Sequence, residues 1–310
     1  TKGREVAPLS PDAQPGDYVW MPEVSPDGPV VVIVSIPQQA MFVYRNGVRI
    51  GRSTVSTGKE GHATPTGVFT ILQKKVDHES SIYRGAKMPH MQRLTWDGIA
   101  MHAGRLPGYP ASHGCVRLPE AFAEKLFSVT KCGTSVIVTD QAFAPGSTAN
   151  PGLLLSGLSE GQAGGQLPVS GFEWQPEKAT NGTLSVVFSM PDSVAYVYRN
   201  GVQIGRAVFA LNKRDVGTFQ GSHVYSALAT QEEGGRPAWL SVTSIGGGAP
   251  PDIKGLAERT AIPLAFLARV RPLVEAGTTL ILTDLPVSPQ TQSGQDFRIL
   301  TADSSPGRAE

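Results

Sequence analysis

Two short stretches carry residues able to do covalent chemistry: Met101-His102-Ala103-Gly104 and Ala111-Ser112-His113-Gly114-Cys115-Val116-Arg117. They place one of only two cysteines beside a glycine and a histidine, with a second histidine thirteen residues upstream of that cysteine. A thiol is a poor nucleophile until it becomes a thiolate. An imidazole nearby can take its proton, and backbone N–H groups freed by glycine can hold the oxyanion that follows attack. These are the parts of a cysteine acyl-transfer site. Arg117 adds a planar cation able to pair with a substrate carboxylate.

Two other chemistries could use the same residues. A Cys115–Cys132 disulfide would suit an oxidising compartment. Cys132, however, falls at the end of an amphipathic helix. Cys115 falls in a glycine-flanked loop ahead of that helix, where a helix N-terminus would lower a thiol pKa. The unlike environments argue against pairing. A zinc site could draw on His62, His78, His90, His102, His113 and Cys115, but none of the paired short spacings of structural zinc occurs. No metal and no cofactor is expected.

The same residues resemble the signature of the YkuD-type L,D-transpeptidase family, an upstream His followed by Ser/Thr-His-Gly-Cys. Ser56-Thr57-Gly58-Lys59, Thr64-Pro65-Thr66-Gly67-Val68-Phe69 and Gly98-Ile99-Ala100-Met101-His102 are similar to further family landmarks, in the family's order. The resemblance implies roles. Cys115 is the nucleophile and His102 the general base, its second ring nitrogen held by the Ala103 carbonyl. His113 tunes the thiolate or orders the loop, and Ser112, in the same motif, is a candidate substrate-binding residue. The amides of Gly114 and Cys115 are candidate oxyanion donors. Position 117 carries Asn in many family members and Arg in others.

The elements that must position these groups are legible in the pattern. Val30 to Ile36 is a continuous apolar run and Ala40 to Arg45 a second strand. Asn46-Gly47 marks a tight hairpin, with Val48, Ile50 and Arg52 on the return strand. Thr66 to Leu72 and Ile99 to Met101 read as strands. Pro119 opens a helix with Phe122, Ala123, Leu126 and Phe127 at helical spacing, and Gly133 marks its stop. Thr134 to Thr139 closes the unit.

The chain of 310 residues repeats itself. Val43-Tyr44-Arg45-Asn46-Gly47 recurs as Val197-Tyr198-Arg199-Asn200-Gly201, and Gly133-Thr134 to Asp140 as Gly277-Thr278 to Asp284. Pro119 and Phe122 correspond to Pro263 and Phe266 in that register. Cys115 then falls on Arg259 and His113 on Ala257, while the His102 strand aligns near Leu240-Ser241-Val242-Thr243. Residues 171–310 hold no cysteine and one histidine, His223. The second copy also lacks a counterpart of Ile82 to Trp96. That stretch, with Tyr83, Arg84 and Trp96, is a candidate substrate wall.

The expected fold is mainly β: a YkuD-like β-sandwich or barrel catalytic domain with short helices, then a degenerate repeat. Residues 1–28 form an arm, 29–141 the catalytic domain, 142–170 a linker docked through Leu153-Leu154-Leu155, 171–286 the repeat and 287–310 a flexible tail. Net charge +1 gives no electrostatic case for a nucleic-acid or membrane partner, and no run approaches the roughly 20 apolar residues that span a bilayer. Thr1-Lys2-Gly3-Arg4 reads as a trimmed terminus. The resemblance implies the bacterial cell envelope, peptidoglycan stem tetrapeptides as donors, an amine acceptor or water, and acylation by carbapenems.

Overall fold

Asn46 and Gly47 have φ 48° and 79°, and Asn200 and Gly201 have φ 46° and 69°. These are the left-handed conformations that a two-residue hairpin turn requires. Around each turn grows a sheet, and the chain divides into two units: Thr1–Phe143 with Pro289–Glu310, and Ala144–Ser288. In this computed structural model the residues described are 1–6, 13–80, 85–142, 151–156, 171–211, 219–231, 237–246, 251–287 and 298–300. The architecture is mostly β, in three sheets.

The first unit contains β1 (Arg4–Glu5), β2 (Asp17–Trp20), β3 (Val30–Ser35), β4 (Ala40–Arg45), β5 (Val48–Thr54), β6 (Gly67–Thr70), β7 (Gln73–Lys75), β8 (Met91–Arg93), β9 (Ala100–Ala103), β10 (Val116–Leu118), helix α1 (Glu120–Val129) and β11 (Ser135–Thr139). The larger sheet runs β1-β2-β5-β4-β3-β11-β6 and is extended at its far edge by a strand from the chain's end. A second sheet runs β10-β9-β8-β7. The arm is therefore built into the sheet: β2 pairs antiparallel with β5, Tyr18 against Ser53 and Trp20 against Gly51.

Helix α1 is fixed at both ends. The Glu120 and Ala121 N–H groups donate to the carbonyls of Thr1 and Lys2. Lys74 Nζ donates to the Phe127 and Thr130 carbonyls at 2.6 Å each, satisfying acceptors a helix C-terminus leaves open. The helix buries Phe122, Ala123 and Leu126 against Val32, Val43, Phe69 and Val136. Phe122 is fully buried, meeting Trp20 edge-on at 5.5 Å and Tyr18 at 5.6 Å. Truncating a phenylalanine so enclosed costs about 3–5 kcal/mol.

The second unit contains α2 (Gly152–Ser156), β12 (Phe172–Trp174), β13 (Leu184–Ser189), β14 (Val194–Arg199), β15 (Val202–Val208), β16 (Ser222–Gln231), β17 (Pro237–Ile245), α3 (Ile253–Arg259), α4 (Leu264–Val270) and β18 (Thr279–Thr283). Its sheet runs β12-β15-β14-β13-β18-β16-β17. β13 pairs parallel with β18, as β3 does with β11, and the neighbouring pairs in both sheets are antiparallel. Trp174 lies where a Cβ on Gly205 would come within 2.5 Å of it, as Trp20 does over Gly51 at 2.6 Å.

Within the 142–170 stretch, residues 151–156 form α2, whose Leu154 and Leu155 are buried in the second unit's core, in line with docking through these leucines. Two expectations are revised. Within 287–310, β19 (Arg298–Leu300) pairs antiparallel with β6, so that part of the tail is strand rather than flexible coil. β17 is not the counterpart of the His102 strand. It folds back on β16 as β8 does on β7, whereas β9 lies between β8 and β10. Among the described residues no helix is long and apolar enough to cross a membrane.

Candidate active site

The small sheet aims the reactive residues. β10 runs parallel to β9 with Val116 beside Met101, Arg117 beside His102 and Leu118 beside Ala103. Side chains alternate along a strand, so Met101, Ala103, Val116 and Leu118 enter the core. His102 and Arg117 point to the other face. One residue earlier, Cys115 lies level with Ala100 and packs on the Met88, Met91 and Ala100 cluster. On the other side β8 puts Arg93 beside Ala100.

His102 is 8% exposed, and its Nδ1 lies 2.8 Å from the Ala103 carbonyl. A carbonyl only accepts, so this contact places the proton on Nδ1 and leaves Nε2 with its lone pair. Burial lowers the His102 pKa to about 4, the Ala103 carbonyl opposing and Arg117 and His78 adding to the fall. The imidazole is neutral at physiological pH.

Burial likewise pushes the Cys115 thiol up, while the Ala100 amide, Arg117 and Arg93 pull it down and Asp97 adds to the rise. β10 separates Cys115 from helix α1, which begins at Glu120. Cys115 Sγ donates to the Gly98 carbonyl at 3.5 Å, and no hydrogen bond joins it to His102 among the described residues. Both cysteines are free; Cys132 is exposed.

The loop that carries Cys115 is stitched on both sides. Ser112 Oγ donates to the Cys115 carbonyl at 2.5 Å and accepts the Gly114 N–H at 3.1 Å. Thr64 Oγ1 donates to the Gly114 carbonyl and accepts from the Gly58 N–H, both at 2.8 Å. Gly114 has φ 107°, and a Cβ there would stand 2.5 Å from Ile99 Cδ1. The Gly114 N–H, expected to be open as an oxyanion donor, is engaged with Ser112 in this structure. Ser112 is thereby a loop-forming residue, buried to 1% exposure.

His113 is exposed and stands edge-on to His62, ring centroids 4.8 Å apart. Desolvation, then Lys59, His62 and Arg117, hold its pKa below the ordinary value. Arg117 is half-buried over Gly104, and its backbone is paired with Ser56. Trp96 is half exposed, with the Arg93 guanidinium 5.8 Å from its ring centroid, two residues from the Gly98 carbonyl that holds the thiol. Tyr83 and Arg84 lie outside the described residues. Arg93 and Asp97 carry no signal in the sequence, because cross-strand register and the β8–β9 turn, not spacing, bring them to the thiol. Among the described residues no three His, Cys, Asp or Glu side chains gather as a metal site would need.

Residues 29–138 match the model of the YkuD L,D-transpeptidase catalytic domain, and the chain carries a domain of that family. Similar solved structures include an L,D-transpeptidase from Mycobacterium smegmatis (25% identity, TM-score 0.34, 37% of this chain and 59% of that one). Another is an L,D-transpeptidase from Stackebrandtia nassauensis (29%, 0.34, 39% and 58%). A third is L,D-transpeptidase 3 from Mycobacterium tuberculosis in complex with a faropenem-derived adduct (26%, 0.34, 36% and 60%). The chain spans about three fifths of the length of these structures. No curated protein matches it.

Proposed function

We propose that this chain is a cysteine L,D-transpeptidase of the bacterial cell envelope, acting on peptidoglycan stem tetrapeptides. The observation that carries this reading is the His102 Nδ1–Ala103 carbonyl contact on the strand two residues from the level of Cys115, within the matched family domain. His102 Nε2 takes the Cys115 proton as sulfur attacks the carbonyl of the third stem residue. The Cys115 amide faces the developing oxyanion. Collapse gives a thioester and expels the terminal D-Ala as an amine, which receives the proton from His102. An acceptor amine then attacks the thioester and restores the thiol. A neighbouring diamino acid as acceptor yields a 3→3 cross-link; water in its place yields a carboxypeptidase.

The second unit reads as a degenerate copy of the catalytic domain, retained for packing or peptidoglycan binding. Its shared strand order supports this, and Arg259 and Ala257, which take the register positions of Cys115 and His113, lie on helix α3. The test is release of D-Ala from tetrapeptide muropeptides, with intact mass measured after incubation with a carbapenem. Turnover with a mass increment of one drug supports the reading. Turnover that survives Cys115→Ala, or is lost only in Cys132→Ala, overturns it.

A further inference from the structure

The reaction engages His102 and Cys115 but gives no work to a hydrogen-bonded clamp in the turn between β3 and β4. Gln39 holds that turn at φ 43°, a left-handed conformation uncommon for a residue with a side chain. Its carboxamide is used at both ends. Nε2 donates to the Ile36 carbonyl at 2.8 Å and to Thr57 Oγ1 at 2.6 Å, and Oε1 accepts the Thr57 N–H at 3.0 Å. Thr57 is fully buried, and its carbonyl accepts both the Ala111 and the Ser112 N–H at 3.0 Å. Ser112 Oγ in turn donates to the Cys115 carbonyl at 2.5 Å and accepts the Gly114 N–H at 3.1 Å. An unbroken run of hydrogen bonds thus joins the β3–β4 turn to the residue that bears the thiol.

The second unit builds the same turn without the clamp. Ser193 stands at φ 53° and donates to the Met190 carbonyl, as the Gln39 N–H donates to that of Ile36. It accepts the Phe209 N–H at 2.9 Å, as the Gln39 carbonyl accepts that of Val55. In the shared register Thr57 corresponds to Leu211, an apolar side chain packed on that unit's core. The turn therefore forms without a carboxamide, and both ends of the clamp differ together in the half of the chain that holds no cysteine. We propose that Gln39 is a positioning residue for acyl transfer, acting through Thr57 to fix the loop that presents Cys115. The proposal rests on the acyl-transfer reading of Cys115. Such a clamp matters because a reacting atom displaced by about 1 Å can lose about 10²-fold in rate. A carboxamide bonded at both ends holds its partner more rigidly than packing alone.

The experiment is the rate of carbapenem acylation of the full chain, read by intact mass, in Gln39→Met, Thr57→Val and the two combined. Methionine keeps the length of the side chain and removes its hydrogen bonds. Each single variant is expected to slow acylation about tenfold, the positioning worth of one hydrogen bond. The combination should be no slower than either alone, because both break one clamp. Gln39→Glu still accepts from the Thr57 N–H and hydroxyl and should stay within about threefold of the parent rate. Hydrogen exchange at the Ala111 and Ser112 amides should quicken about tenfold in Gln39→Met. Ser193→Ala should change neither readout. A parent rate in Gln39→Met with unchanged circular dichroism, single losses that multiply in the combination, or amide exchange that does not quicken overturns the clamp. If Gln39→Met does not fold, Thr57→Val is judged by the same two readouts. A parent chain that no carbapenem acylates removes the acyl-transfer reading instead, and amide exchange then judges the clamp by itself.

Discussion

The two units share what makes a core and differ where a reaction would happen. Each has a parallel strand pair at the centre of its large sheet, an Asn-Gly hairpin and a bulge at the same place in it, between Val43 and Tyr44 and between Val197 and Tyr198. Each lays a tryptophan over a glycine and against a phenylalanine, on a helix capped by proline, Pro119 or Pro263. They part after β6 and β16. The first unit leaves the large sheet to build a second one from β7 to β10, and only there do a histidine and a thiol meet on one face. The second unit turns back as β17 in the same sheet and then forms α3, packed through Ile253, Leu256 and Ala257 against Leu154 and Leu155. A core with this strand order stands without the small sheet, and that sheet carries the residues proposed for the reaction.

Acylation tests that contrast most severely. A carbapenem should add once per chain, on Cys115, and Cys115→Ala should abolish the adduct, read by intact mass and peptide mapping. A second adduct in residues 171–286 would break the comparison.

Histidines should divide in the same way. His102→Ala should slow acylation by roughly 10²–10⁴-fold, the range for a positioned base. It should also alter the pH profile of iodoacetamide alkylation at Cys115. His223→Ala, in the other unit, should leave the rate unchanged. That ring contacts the Gln220 carbonyl at 3.0 Å and has no thiol to serve.

Acid sensitivity has a defined sign. Burial depresses His102 from 6.5 to about 4, so between those values the unfolded chain holds a proton that the folded one does not. Stability is fully present above about pH 6.5 and falls as pH drops toward 4, by about 3 kcal/mol from this residue. Urea titrations at pH 7.5 and 4 should show a smaller loss in His102→Gln than in the parent. His223, lowered in the same direction by burial, contributes with the same sign from the second unit.

Glycine substitutions sharpen the division at smaller energies. Gly114→Ala meets Ile99 at a positive φ and should cost about 1–3 kcal/mol together with acylation rate. Gly182→Ala, at φ 111° with its Cβ 2.5 Å from that of Asn200, should cost similar stability and no rate. The smallest effect is expected at Asp252, whose side chain accepts the Gly255 N–H at 3.0 Å and caps α3. Asp252→Ala should lower stability by about 1 kcal/mol, read by thermal unfolding, without touching acylation.

The sequence alone determined the hairpins, the central strands, the Pro119 helix and the motif residues, because apolar periodicity, Asn-Gly turns and proline caps act within a few residues of chain. It also showed the second half to be without a thiol. Only the tertiary structure decided how the site is wired. Parallel pairing of β9 with β10 brings Arg117 beside His102 and Cys115 level with Ala100 across a gap in sequence that no local signal spans. Burial, a property of the assembled core, sets both pKa directions, downward for His102 and upward for Cys115. The Gly114 amide was a donor by its residue type; that it is taken by Ser112 follows from loop geometry, which spacing cannot fix.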